Sequence, residues 1–241
     1  MWPHLIRFVR LLVFTACLVV PAAALAGETA WEYWPEIDIW AKTPWQIRFS
    51  SFIAGSKNVE TEYREGNIIL QADYAWKRHG SRLKWRLAEE GEAGELRSLM
   101  VRGGFLGGRS LDDDGAQYTE KTGLLEFHVR IPMKGGILVS HRIRTDLRFL
   151  GEAEDFSWRF RYRLMTEKDV TALGTSLVPY ASVEPYYDSR VSAINRIRAI
   201  GGVTVSLISQ LAVEANLTYQ FDPRSSASNL AALNTILHVY F

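Results

Sequence analysis

From about Trp31 to Phe241, apolar and polar residues alternate with a period of two. Between residues 210 and 221, Leu211, Val213, Ala215, Leu217, Tyr219 and Phe221 fall on one side, and Gln210, Glu214, Asn216, Thr218 and Gln220 on the other. Residues 156–164 are sharper still: Phe156, Trp158, Phe160, Tyr162 and Leu164 alternate with Ser157, Arg159, Arg161 and Arg163. Successive side chains of a strand point to opposite faces, so each segment predicts a strand with one apolar and one polar side. The same period predicts strands at 45–53, 68–76, 82–87, 125–131, 137–149, 177–187, 197–207 and 233–241, with weaker ones at 36–40 and 99–105. Turn residues separate them at His79-Gly80, Gly107-Gly108, Asp112-Asp113-Asp114-Gly115, Gly135-Gly136, Gly151 and Asp222-Pro223. The chain reads as all-β with about twelve strands, ten being the alternative count.

Many of these segments run 9 to 13 residues. Strands of soluble proteins usually run about five or six, whereas a tilted strand crossing a bilayer needs about 9–11. A soluble sandwich turns its apolar face inward and could not also house the face of Arg159, Arg161 and Arg163. In a membrane barrel the apolar face meets lipid and the polar face lines the interior. Lipid offers backbone groups no hydrogen bonds, so the sheet must close on itself. The expectation is therefore a transmembrane antiparallel β-barrel. Its last strand ends on Phe241, preceded at two-residue steps by Val239, Leu237, Thr235 and Leu233. That tail resembles the C-terminal signal that bacterial outer-membrane barrels present to their insertion machinery, with Leu237, Val239 and Phe241 as its contacts.

Bacterial barrels have even strand numbers, short periplasmic turns and longer outer loops. Counting back from Phe241, the short links at 132–136 and 207–210 fall on the periplasmic side and the longer ones at 107–116 and 222–229 outside. Counting forward from Trp31, short links at 42–44 and 78–81 fall outside, which conflicts.

Residues 1–26 read as a secretory signal peptide: a basic start with His4, Arg7 and Arg10, an apolar run from Leu11 to Val20, and Ala24-Leu25-Ala26 as the cleavage site before Gly27. The apolar stretch is shorter than the roughly 20 residues of a spanning helix. The barrel domain is then 27–241. Removal of the peptide takes away Arg7, Arg10 and the single Cys17 but no acid, so the net charge of +1 becomes −1. A balance this close to zero argues against nucleic acid as a partner. With no cysteine left, neither a disulfide framework nor a Cys-rich zinc site is available. The export address and barrel pattern place the protein in a Gram-negative outer membrane, among lipid and lipopolysaccharide.

In a barrel the polar faces line the lumen. Between strands 125–131 and 197–207 the inward set contains Arg130, Arg142, Arg144, Arg148, Arg159, Arg161, Arg163, Arg196 and Arg198, against Glu126, Asp146, Glu184 and Asp188. The opposite wall adds Arg48, Arg82, Lys84 and Arg86 against Glu36, Asp38 and Asp73. Arginine presents a planar fork that pairs with carboxylate or phosphate and keeps its proton. One reading is a cationic track passing or binding anionic solutes such as acidic oligosaccharides, with Glu184 among its polar groups. The other is a closed structural or accessory barrel whose arginines are tied to acids as a plug, serving envelope polysaccharide or lipid handling. A lipid-modifying enzyme is a third reading, without a local motif: Ser140 and His141 point to opposite faces, and His128 and His238 read as lone lumen side chains. No catalytic residue, metal ligand or cofactor is assigned; the acidic loop 112–115 lacks the spacing of a calcium site. Trp31, Trp34, Trp40, Trp45, Trp76, Trp85 and Trp158 are expected in interfacial belts or facing lipid.

Three segments carry a family resemblance: Arg159-Phe160-Arg161-Tyr162-Arg163, Val178-Pro179-Tyr180-Ala181-Ser182-Val183-Glu184-Pro185-Tyr186 and Asn195-Arg196-Ile197-Arg198-Ala199-Ile200-Gly201-Gly202. With Leu217-Thr218-Tyr219-Gln220-Phe221, they are similar to a family of uncharacterised bacterial outer-membrane barrels classed as a domain of unknown function. The likeness covers mainly residues 140–241, with 45–49 a looser match. It implies the barrel and its membrane but no activity. A more distant likeness, in size, export signal and arginine-rich lumen, is to small twelve-stranded porins for acidic sugars, an analogy of fold.

Overall fold

A computed structural model describes residues 29–43, 45, 47–80, 95–111, 119–172, 175–222 and 229–241. Its strands are β1 (Thr29–Lys42), β2 (Ile47–Asn58), β3 (Arg64–Gly80), β4 (Glu95–Ser110), β5 (Thr119–Met133), β6 (Ile137–Leu150), β7 (Asp155–Lys168), β8 (Val170–Ala172), β9 (Thr175–Asp188), β10 (Ala193–Ile208), β11 (Leu211–Phe221) and β12 (Asn229–Tyr240). The short β8 follows β7 after Asp169 and pairs with the start of β9, so β7 and β8 form one stave. Neighbours in sequence are neighbours in the sheet, and β1 pairs with β12 to close it. Among the described residues, eleven staves make a transmembrane β-barrel.

Eleven lies inside the expected range of ten to twelve, but its odd parity does not match the even number expected. The expected strand at 82–87 lies outside the described residues; β3 pairs directly with β4 through Glu65↔Ser110 to Gly80↔Glu95. With an odd number of alternating staves the first and last run the same way. The β1–β12 ladder is accordingly parallel, from Thr29↔Asn229 to Trp40↔Tyr240. The count moves the link after β1 to the other end. The links at 43–46, 134–136 and 209–210 lie at the end carrying Phe241, the near end, as do Gly80 and Glu95, which bound the longer link between β3 and β4. The links at 111–118 and 222–228 lie at the far end, with Thr29. The tight turn after β5 places Gly135 and Gly136 at φ 80° and 73°, a left-handed geometry that glycine adopts without steric cost.

The long strands, 11 to 17 residues apart from β8, reach across a bilayer with residues to spare. Leu125, Phe127, Ile143, Leu147, Phe160 and Leu164 face outward, and the residues between them face in. Trp31 and Trp158 face outward toward the far end, Trp45 and Trp76 toward the near end, as interfacial belts require. Trp34 and Trp40 depart from that expectation. Their even positions on β1 turn them into the lumen, and Trp40 is buried. Trp85 lies outside the described residues.

The outward face predicts a measurable asymmetry. Leu125→Arg, near the middle of β5, is expected to lower stability by about 2–4 kcal/mol, the cost of a cation at the bilayer midplane. Urea titration of the protein refolded into lipid vesicles reads this as a lower midpoint.

Candidate functional site

Inward-pointing residues build the interior from the near end upward. Trp40 meets Phe52 edge-on at 5.2 Å and packs with Ala212 and Tyr240. The Arg48 guanidinium lies 4.3 Å from the centre of the Trp40 ring, and that of Arg102 lies 5.5 Å away. Asp73 receives Arg48 at 3.0 Å, Arg97 at 2.8 Å and Arg102 at 3.4 Å. Around this knot, Arg48, Arg97, Met100, Leu138, Met165 and Val178 are each at 1% exposure or less, so their side chains fill the near end of the lumen.

Above this floor, each carboxylate serves several cations. Glu126 on β5 takes Arg102 from β4 at 3.3 Å, Arg144 from β6 at 3.1 Å, Arg142 at 3.6 Å and His128 at 2.9 Å. Asp146 takes Arg144, then Arg159 from β7 at 2.8 Å and Arg161 at 3.8 Å. Glu184 on β9 takes Arg142 at 2.6 Å and Arg161 at 2.9 Å, while the Tyr186 hydroxyl donates to it at 3.2 Å. Arg102, Arg142, Arg144 and Arg161 each touch two acids, so the pairs join into one web from β2 to β9. Nearer the far end, Arg148 spans Glu120 at 2.9 Å and Asp188 at 3.5 Å.

A second cluster lies beside the closing seam. His238 on β12 holds Asp38 of β1 through Nδ1 at 3.1 Å and Glu214 of β11 through Nε2 at 3.3 Å. Glu214 also accepts the Tyr180 hydroxyl, Thr204 at 2.9 Å and Asn216 at 3.1 Å. Gly202 makes room for this crossing: a Cβ there would lie 2.9 Å from Tyr180 Cε1 and 2.5 Å from Asn216 Cβ. The expectation of lone histidines is overturned, since alternation fixes the side of the wall but not which acid stands across the lumen. His128 and His238 are both tied to carboxylates. His141 faces lipid as expected, against the Tyr162 hydroxyl at 2.7 Å.

All nine expected arginines lie on the lumen side. Arg142, Arg144, Arg148, Arg159 and Arg161 are brought together on acids. Arg130 is buried toward the near end, and Arg163 lines the cavity above it. Arg196 and Arg198 have no carboxylate partner among the described residues and gather instead around Tyr186. Leu237, Val239 and Phe241 point away from the lumen. Arg82, Lys84 and Arg86 lie outside the described residues. Arg97, Arg102 and Glu120 had gone unnoticed. The glycines at 103, 104, 107 and 108 weaken the alternation of β4, and β5 begins six residues before its clearest pattern. Extending both periods outward would have found them.

Two cavities occupy the upper lumen, of about 580 Å³ at the far end and about 440 Å³ below it, sharing Arg159, Tyr186, Arg196 and Arg198 on their walls. The chemistry available is that of guanidiniums and carboxylates side by side, since Glu36, Glu65 and Glu120 also line both cavities.

Comparison with known proteins adds a family. The family described as "Protein of unknown function (DUF2490)" matches residues 37–231, starting well before the 140–241 that carry most of the resemblance and ending ten residues short of Phe241. Among solved structures, one titled "Bacterial polysaccharide outer membrane secretin" is similar at 10% identity and a TM-score of 0.42, over 79% of this chain and 73% of that one. No curated protein matches.

The web predicts strong dependence on single acids. Asp146→Asn leaves Arg144, Arg159 and Arg161 around an uncharged amide and is expected to cost about 3–5 kcal/mol. Exposed Glu62→Gln, which loses only a pair with Arg64, should cost less than about 1 kcal/mol. Paired urea titrations in detergent measure the difference.

Proposed function

The chain belongs to the DUF2490 family, and we propose that it is a closed, non-conducting outer-membrane barrel that serves envelope polysaccharide or lipid handling as an accessory element. One observation carries this reading: the side chains of Trp40, Arg48, Arg97, Met100 and Leu138 pack at the near end of the lumen, each at 3% exposure or less. A channel for anions needs guanidiniums free to exchange solute for water along a continuous path. Here Arg142, Arg144 and Arg161 each hold two carboxylates. A buried ion pair is costly to break by removing one partner, so such a web favours rigidity over transport.

The outer membrane is supported by the closed apolar exterior, the aromatic belts and the sequence before Gly27. Leu237, Val239 and Phe241 form the outward edge through which insertion machinery would receive the last strand, and lipid and lipopolysaccharide are the standing partners of the exterior.

Two measurements test the reading. Refolded protein in planar bilayers is expected to give no conductance steps; steady anion-selective steps would restore the arginine-lined pore. Protein extracted from outer-membrane fractions should begin at Gly27 on N-terminal sequencing, and a chain still beginning at Met1 would contradict export by cleavage.

A further inference from the structure

At the far end the interior changes character. Arg196 and Arg198 occupy successive inward positions on β10, where a register shift falls between Ile194 and Arg196. Ile194 and Ile197 both face outward, so the extra residue, Asn195, stands with Arg196 on the lumen side, while Arg196 and Arg198 keep the inward parity of the rest of the strand. Bulges that re-aim a side chain, as this one does Asn195, are found at functional sites. The Arg196 guanidinium lies 5.7 Å from the centre of the Tyr186 ring. That of Arg198 lies 5.4 Å from the same ring and 5.1 Å from Trp34, and donates to Gln220 Oε1 at 2.8 Å.

Among the described residues neither arginine has a carboxylate within 4 Å, in contrast to Arg159 and Arg161 beside them, although Asp222 and Glu65 attract Arg196 from farther off. The buried Nε atoms of both, and the Oδ1 atoms of Asn195 and Asn234, have no hydrogen-bond partner among the described residues. All four atoms belong to residues lining the cavity of about 580 Å³, inside the usual range for small-ligand clefts. Buried donors left unsatisfied are costly, and two guanidiniums with no close carboxylate favour an anion whose several oxygens can reach both forks. Across the cavity stand Glu32, Glu36 and Glu65. A second negative group would be repelled there, while hydroxyls could donate to these carboxylates and to the asparagine oxygens.

We infer that the far-end vestibule, around Arg196, Arg198, Tyr186 and Trp34, binds an acidic saccharide unit, its carboxylate or phosphate on the two arginines and its hydroxyl-bearing remainder toward β1 and β3. This deepens the reading of a closed envelope barrel, since a floor below the vestibule makes it a binding cup. The same chemistry comes from a soluble acidic oligosaccharide or from the phosphorylated sugars of lipopolysaccharide.

The test is calorimetric titration of the refolded barrel in detergent with glucuronate, which carries one carboxylate, with neutral glucose, and with phosphorylated and dephosphorylated lipopolysaccharide. Binding of glucuronate assigns a soluble source and binding of only the phosphorylated lipopolysaccharide a membrane source; either supports the site. The double variant Arg196→Gln/Arg198→Gln should bind about tenfold more weakly or worse, the loss of a charge-assisted hydrogen bond. If that variant fails to fold, Arg198→Lys keeps the charge and loses the fork, and should still weaken binding severalfold. No binding of either anionic probe, equal binding of the neutral sugar, or unchanged affinity in a folded variant overturns the site. Conductance of the same preparation separates the two conclusions. Silence without binding sinks the site alone, and conductance with binding sinks the closed barrel alone.

Discussion

A sheet inside a bilayer has no water for its edges, and each unpaired backbone group costs several kcal/mol there. The parallel ladder between β1 and β12 removes both edges at once, over twelve residue pairs. Every other feature depends on that closure, because only a closed ring separates an outer face for lipid from an inner face that can hold charge. The ring also dictates where charge can go. His238 with Asp38 pins the seam from inside, while Tyr33 and Thr235 meet across it outside, through hydroxyls 2.6 Å apart.

Once enclosed, the cations must be neutralised locally. The lumen does this with few acids by sharing each among several arginines. Arginine suits the arrangement, because its planar fork reaches two carboxylates on different strands, as Arg142 does between Glu126 and Glu184. At Arg196 and Arg198 the sharing stops, with no carboxylate within salt-bridge distance of either, and the lumen widens into a far-end cavity also lined by Glu32, Glu36 and Glu65. The narrow ring of eleven staves therefore holds two regimes, a filled near end and an open far end.

Much of this was legible in the chain. The alternation at 156–164 and 210–221 placed strands, and its inverted polarity placed them in a membrane. The nine lumen arginines followed from the same parity. The odd count was not legible, because it rests on β3 pairing directly with β4 around the ring. Two things misled. Trp34 and Trp40 read as belt residues because tryptophan is common at interfaces, although their position on β1 sets them inward. The histidines read as lone because their partners, Glu126 apart, lie on other strands.

By itself the sequence determined which face of each strand meets lipid and which residues are enclosed, since both follow from a local period that any strand must obey. Only the tertiary structure decided the parity of the barrel, the pairing of each arginine, and the end at which the lumen is stopped. Those depend on which staves stand opposite one another across a ring, and a bulge at Asn195 adds one more inward residue to the far end. Such distances are set by closure, and no local period encodes them.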